Sequence, residues 1–462
     1  MNALLSRSAG HGRAAPPVRL VHLGLGNFFR AHQCWYTDHA PDAADWGYAA
    51  FSGRGGGGLP TRLTAQDGLY TLVTRGAAGD TFEVVNSLAR AHDADDHQAW
   101  LTYFGSPRLS VVTLTVTEAG YLRGPDGGLD AGRPEVQADL AALRADLSAV
   151  VRTAPARLVA GLVARRSAGA GPVALVPCDN VPGNGAIVDR VVRDMAHLLD
   201  PALTDWLDDS LTVVTTAVDR ITPRPTPDES GRVRQATGFD DDCPVVTEPF
   251  REWVLSGRFP AGRPGWQDAG ATFTDDVTPY ERRKLWLLNG AHSLLAYAGS
   301  IRGHTSVSQA VGDATCRQWL EQWWQAASRQ LDQREADLAA YRHALLDRFA
   351  NPRMHHQLAQ IGADGSQKLP IRILPVLRAE RAAGRMPTGA TLVLAAWICC
   401  LRGLGAPVSD VHAQSVVPLA DGPLRDAARR VLHDLDPALG EDAEVVATVW
   451  QQCQELAGGA TT

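Results

Sequence analysis

No stretch of this sequence is apolar for long enough to cross a membrane. The longest apolar run, LVLAAWICCL at 392–401, stops at Arg402. A span needs about 20 residues, so the run reads as a buried helix. Basic charge is not in surplus: 44 Lys and Arg stand against 51 Asp and Glu, a net charge of −7, with no basic stripe. That argues against a nucleic-acid or anionic-membrane partner. Cysteine is sparse and unpatterned. Seven are scattered through 462 residues, Cys399 and Cys400 are adjacent, and no CxxC occurs. This fits reduced thiols in the cytoplasm rather than a disulfide frame or a zinc cage. Residues 1–17 lack the apolar core of a signal peptide and read as a disordered lead-in.

The first half of the chain is rich in β-forming runs separated by helical stretches. VRLVHLGLG (18–26), WGYAAFSG (46–53), LYTLVTR (69–75), LSVVTLTV (109–116), PVALVPCD (172–179) and LTVVTTAV (211–218) read as strands. Several are near-continuous Val, Leu and Thr, as expected for strands covered on both faces. Ala-, Asp- and Arg-rich helical segments lie between them, the βαβ pattern of a parallel sheet. After about residue 272 the strand signal fades and the chain reads as helices. The fold class is therefore α/β. An N-terminal Rossmann-type domain with a parallel-rich sheet (18–272) precedes a mostly α-helical C-terminal domain (273–462). The GRGGGG stretch at 53–58 reads as a flexible loop.

Gly24 and Gly26 directly follow the first strand, where a dinucleotide fold needs a tight turn and close backbone approach to a pyrophosphate. Phe29 stands where the third glycine of GxGxxG would be, so an ordinary βα turn explains the pair equally well. The second strand ends in Ser52, Gly53 and Arg54, with no carboxylate for a ribose hydroxyl. A Ser/Arg pair suits a 2′-phosphate, so NAD over NADP does not follow from this pattern.

The stretch ERRKLWLLNGAHSLLAY (281–297) is oily after Lys284, yet carries Lys284, Asn289 and His292. At about 100° per residue, with Lys284 at zero, Glu281 falls at about 60°, His292 at about 80° and Asn289 at about 140°. One side of the helix thus offers a carboxylate, an amine, an amide and an imidazole. Burial among Leu285, Trp286, Leu288 and Leu295 would lower the lysine pKa and make it a usable general base. A snorkelling surface lysine and a satisfied core histidine are the plainer explanations of each residue alone. Tyr280 and Lys284 also match the Tyr-x-x-x-Lys pair of short-chain dehydrogenases, but those chains are about half this length. Asp179 and Asn180, and Asp219 and Arg220, follow predicted strands, where ligands sit in open α/β sheets. Turn capping explains them equally well.

Together VHLGLGNFFRAHQCWYTD (21–38), AQDGLYTLV (65–73), LTVTEAGY (114–121), CDNVPGNG (178–185), VDRITP (218–223), TEPFREWV (247–254), DVTPYERRKLWLLNGAHSLLAY (276–297) and DGSQKLPIR (364–372) resemble the polyol-specific long-chain dehydrogenases, the mannitol dehydrogenase family. The motifs run in family order over about residues 18–375. The resemblance implies an NAD(P)-dependent, metal-independent oxidoreductase acting on a small-molecule polyol, ketose or sugar acid, as a monomer or weak oligomer. Lys284 matches the family's general acid/base. Asn180 and Asn289 match the pair that holds the reacting oxygen, His292 and Asp219 match substrate-positioning residues, and Glu281 matches a carboxylate on the proton path. Gly24, Gly26, Phe28 and Arg30 match the cofactor turn. Asp67 matches a position associated with the adenosine ribose, which leans the cofactor to NAD.

The substrate is less determined. The mannitol-like branches often carry an arginine eight residues before the lysine of DGSQK, where this chain has Gln360 before Lys368. The region resembles the fructuronate reductase branch at least as much. Lys368, Arg372 and His356 suit a substrate carboxylate or phosphate, or a structural role. A hexitol, a hexuronate or mannonate, and mannitol 1-phosphate all remain open, as does a non-catalytic NAD-binding sensor on the same fold.

Overall fold

A computed structural model describes residues 3–53, 57–354 and 356–459. Arg54, Gly55 and Gly56 of the glycine loop at 53–58 lie outside the described residues. The strands are β1 (Val18–Leu23), β2 (Gly47–Phe51), β3 (Tyr70–Gly76), β4 (Gly79–Val85), β5 (Leu88–His92), β6 (Val111–Leu114), β7 (Val173–Pro177), β8 (Leu211–Val213), β9 (Thr215–Asp219), β10 (Val245–Thr247), β11 (Glu252–Ser256) and β12 (Thr272–Phe273). Six of them form one wholly parallel sheet in the order β5-β2-β1-β6-β7-β8. The order reverses between β1 and β6, and this is the place where open α/β sheets bind ligands.

Side chains alternate across this sheet, and each face has its own core. Val21, Leu23, Phe51 and Val112 pack on one face with the helix Ala154–Ala168; Leu20, Tyr48, Ala50 and Val111 pack on the other with Phe29 and Trp253. The near-continuous apolar strands read from the sequence are explained by this double burial. His22 is buried on the second face because its ring lies 2.8 Å from Thr113 Oγ1 and 3.0 Å from Thr115 Oγ1 and stacks on Phe29.

Two expectations fail here. The strand read at 69–75 is absent from the parallel sheet. As β3 it pairs antiparallel with β4 and parallel with β10 in a separate three-stranded sheet, and β9, β11 and β12 form another. Residues 3–17 are not a disordered lead-in. Leu5 is fully buried, Leu4 bridges to Asp240, and Arg7 donates to the backbone carbonyls of Asp67, Asn86 and Leu88. One apolar anchor and one arginine hold a segment whose composition alone reads as loose.

The chain divides into two compact units, Met1–Val277 and Thr278–Thr462. The second is helical. Its oiliest helix, Thr388–Leu401, is buried at every residue from Gly389 onward, and no helix among the described residues is long and apolar enough to cross a membrane. All seven cysteines are buried free thiols.

Candidate functional site

In the N-terminal unit a cleft of about 880 Å³ opens at the carboxyl ends of β1, β2, β5 and β6. Gly24 forms its floor. Its φ is +113°, and a Cβ there would lie 2.3 Å from the Thr115 carbonyl oxygen beyond β6. Only glycine fits, for both reasons. The amides of Gly24 and Leu25 donate to the Phe51 carbonyl at 2.9 and 2.8 Å, closing the turn over β2. Gly26 is the N-cap of the short helix Asn27–Ala31. Phe28 is half-buried and stacks on His32. Arg30 is buried and spends its guanidinium on the carbonyls of Cys243 and Gly26 and on Asn27 Oδ1, so it braces the turn from within. The cleft fits a dinucleotide by its position at the strand-order reversal and by the tight turn that glycine alone permits at position 24.

Asp67 lies elsewhere. It has φ +55° and accepts from the Arg7 amide at 2.9 Å, next to Gly68, whose own Cβ position would meet the Leu88 carbonyl. Leu88 begins β5. Asp67 is therefore at the amino end of the parallel strands, opposite the glycine turn, and does not line the cleft.

At the end of β7, Asp179 accepts a hydrogen bond from the Tyr121 hydroxyl, and its pKa is raised by burial. Asn180 follows in an exposed turn. Asp219 closes β9 and is 5% exposed. Asn184 ties the two strand ends together. Its amide nitrogen donates to the carbonyls of Pro177, Asp179 and Thr216, and its oxygen accepts from the Thr216 amide at 3.0 Å. Neither Tyr121 nor Asn184 was singled out in the sequence. The available signal for Asn184 is an amide between two glycines in the segment after a strand.

In the C-terminal unit the helix 278–299 departs from the α form. It is α-helical over Thr278–Arg283, π-helical over Lys284–Gly290, α-helical over Ala291–Leu294 and π-helical again over Leu295–Gly299. The cause lies in the neighbouring helix Ala314–Ser328. The Trp323 and Trp324 indoles donate to the carbonyls of Trp286 and Leu287 at 2.9 and 2.8 Å. Inserted donors of this kind displace the i→i+4 ladder. Gly290 admits the indole, since a Cβ there would lie 2.4 Å from the Trp323 ring. The π turn replaces the 100° step assumed for the wheel. With i→i+5 bonding the repeat lengthens, and Asn289, five places after Lys284, swings back toward the lysine's face.

Lys284, Asn289 and Glu281 are half-buried, as are Leu285 and Trp286, so the lysine is less enclosed than an oily helix suggests. Tyr280 is half-buried too, with the Arg283 guanidinium 5.1 Å over its ring. His292 is 6% exposed, and its Nε2 has no hydrogen-bond partner. Burial, then His356, Arg348 and Arg372, hold its pKa well below the usual histidine range. The His356 ring lies 4.8 Å away, edge-on.

The helix Gly365–Arg372 packs against the Lys284–Gly290 turn. Gly365 is required there because a Cβ would meet the Trp397 indole nitrogen at 2.5 Å and the Tyr297 hydroxyl at 2.6 Å. Lys368 donates to the Ile361 carbonyl at 3.3 Å, and its pKa is lowered by burial and by Arg372. Arg372 reaches Ser293 Oγ at 3.4 Å while its Nε has no partner. The cations Lys368 and Arg372 thus lie with the neutral rings of His356 and His292 in one group, to which Arg348 is an addition not read from the sequence. Elsewhere in this unit, ligand atoms of His304, Asp313 and Cys316 lie within 4.8 Å of one another. That carboxylate already accepts from Arg302 and His304.

Residues 18–268 match the mannitol dehydrogenase Rossmann domain and residues 276–426 the mannitol dehydrogenase C-terminal domain. The chain belongs to the mannitol dehydrogenase family. It is thereby an oxidoreductase of a family that acts on secondary alcohols. It is 35% identical to the D-mannonate oxidoreductase of Escherichia coli over 84% of this chain and 80% of that one. It is 36% identical to the D-arabinitol 4-dehydrogenase of Ralstonia nicotianae, over 84% of each. The solved ternary complex of Pseudomonas fluorescens mannitol 2-dehydrogenase with NAD and D-mannitol is similar at a TM-score of 0.79 and 32% identity. It covers 97% of this chain and 94% of that one.

Proposed function

We propose that this member of the family is an NAD(H)-dependent, metal-independent dehydrogenase that interconverts a hexitol-type secondary alcohol and its ketose, in the cytoplasm, as a monomer or weak oligomer. The observation that carries the reading is the π-helical turn that holds Lys284 and Asn289 toward one side, one helical step before His292. The NAD and D-mannitol bound by the similar mannitol 2-dehydrogenase support the cofactor and substrate class.

The cofactor, held over Gly24 and Gly26, supplies the hydride acceptor. Lys284 Nζ takes the hydroxyl proton in oxidation and returns it in reduction. Asn289 donates to the developing alkoxide, and on the family resemblance Asn180 does so as well; a preorganised donor of this kind is worth on the order of 3 kcal/mol of barrier. His292, neutral in its buried setting, positions a substrate hydroxyl, as does Asp219. Glu281, half-buried one turn before the lysine, passes protons to solvent.

A second reading is a sugar-acid substrate, a hexonate and its keto acid. The cations Lys368, Arg372 and Arg348 near His292 and His356 favour it, as a carboxylate would satisfy the open Arg372 Nε. One panel separates the two: NADH formation with mannitol, arabinitol, sorbitol, mannonate and mannitol 1-phosphate. A hexitol as best substrate by kcat/KM supports the first reading, and mannonate the second. Silence on all five defeats both.

A further inference from the structure

The helix Ala154–Ala168 carries two buried arginines with opposite fates. Arg165 is fully buried and donates to the carbonyls of Phe104, Ser106, Leu109, Ala170, Gly171 and Pro172. Arg157 is 4% exposed, yet its Nη2 has no partner. Its guanidinium lies 4.8 Å over the Trp100 ring and 5.7 Å over the Phe51 ring. The two rings offset part of the cost of the buried cation, but the unpartnered N–H remains costly, and an incoming anion would satisfy it.

The place says which anion. Arg157 lines the same cleft as Gly24 and Gly53, together with Arg152, Thr153 and Ala154 at the start of its own 15-residue helix. A helix start favours negative charge. Phe51 is the last residue of β2, whose tip is where dinucleotide folds read the adenosine ribose: a carboxylate there selects the 2′-hydroxyl, an arginine the 2′-phosphate. No carboxylate follows β2, and Asp67 lies at the other end of the sheet. The acids on the cleft wall are Asp95, which is exposed, and Glu135, which lies 3.4 Å from Arg133.

We infer that Arg157 reads a phosphate on the adenosine ribose, so that the chain binds NADP(H) at least as well as NAD(H). The inference rests on the dehydrogenase reading, and binding rather than turnover tests it. The intact chain is titrated with NADPH and NADH by nucleotide fluorescence, and with 2′,5′-ADP and 5′-ADP by calorimetry. NADPH is expected to bind at least as tightly as NADH, and 2′,5′-ADP about tenfold tighter than 5′-ADP. Arg157→Met, which keeps an apolar stem against Trp100, is expected to weaken NADPH about tenfold and NADH less than about threefold, with thermal stability held or raised. Tighter binding of NADH than NADPH, or an equal or absent effect of Arg157→Met on the two, overturns the inference. If that variant does not fold, the wild-type 2′,5′-ADP to 5′-ADP ratio decides alone, and parity there overturns it. Failure to bind either dinucleotide defeats the dehydrogenase reading as well.

Discussion

The turn at Gly24–Gly26 and the helix 278–299 both bring polar groups to a place where a ligand would sit, by opposite means. The turn stays within ordinary strand-turn-helix geometry and relies on a residue without a side chain. The helix keeps its bulky residues and alters its winding, because two tryptophan indoles take carbonyls that an α-helix would otherwise use. The first solution is local and the second tertiary. A local solution is written in adjacent residues; a tertiary one depends on Trp323 and Trp324, 37 positions from the carbonyls they bind.

The comparison breaks most sharply at the turn. Gly24→Val places a branched side chain against the Thr115 carbonyl at a φ that only glycine adopts readily. Dinucleotide affinity measured by fluorescence titration is expected to fall by a factor on the order of 100 or more, beyond the roughly 1–3 kcal/mol of backbone strain. On the helix, Asn289→Ala leaves the winding intact and removes one donor. The expected result is a fall in kcat of on the order of 100-fold with the dinucleotide affinity unchanged, in steady-state kinetics.

Acid distinguishes the two regions less. His22 beside the turn has its pKa pushed down to about 3 by burial, and His292 on the helix is held well below the usual range, again by burial first. Each of these two histidines therefore binds less proton in the folded than in the unfolded chain below about pH 6.5, and the stability it contributes falls as pH falls through that window. Urea unfolding is expected to show lower stability at pH 5 than at pH 6.5, by about 1.6 kcal/mol from His22 and in the same direction from His292. His22→Gln and His292→Asn should each flatten the dependence by that share.

The parallel sheet was legible in the sequence because its strands are buried on both faces and so carry no alternation to confuse them. The glycine turn and the lysine helix were legible as motifs. What could not be read was long-range. Leu5 and Arg7 order the first residues through contacts with Asn86, Leu88 and Asp240. The wheel at 100° per residue assumed an α-helix that the Trp323 and Trp324 indoles forbid. Asp67 follows a motif but ends at the wrong edge of the sheet, tied to Arg7. Arg157 gave no signal at all, since one arginine in a helix is indistinguishable from another until its surroundings are known. Asp67→Asn is accordingly the smallest expected effect, with NADH affinity unchanged within about twofold by fluorescence titration.

In the proposed mechanism Lys284, and not Tyr280, is the proton-transferring group of YERRK. Steady-state turnover of Lys284→Ala and Tyr280→Phe on the best substrate of the panel tests it most directly. The lysine change should cut kcat by about 10²–10⁴-fold while dinucleotide affinity persists, and the tyrosine change should leave kcat within about threefold. Turnover abolished by the tyrosine change and barely touched by the lysine change would contradict it.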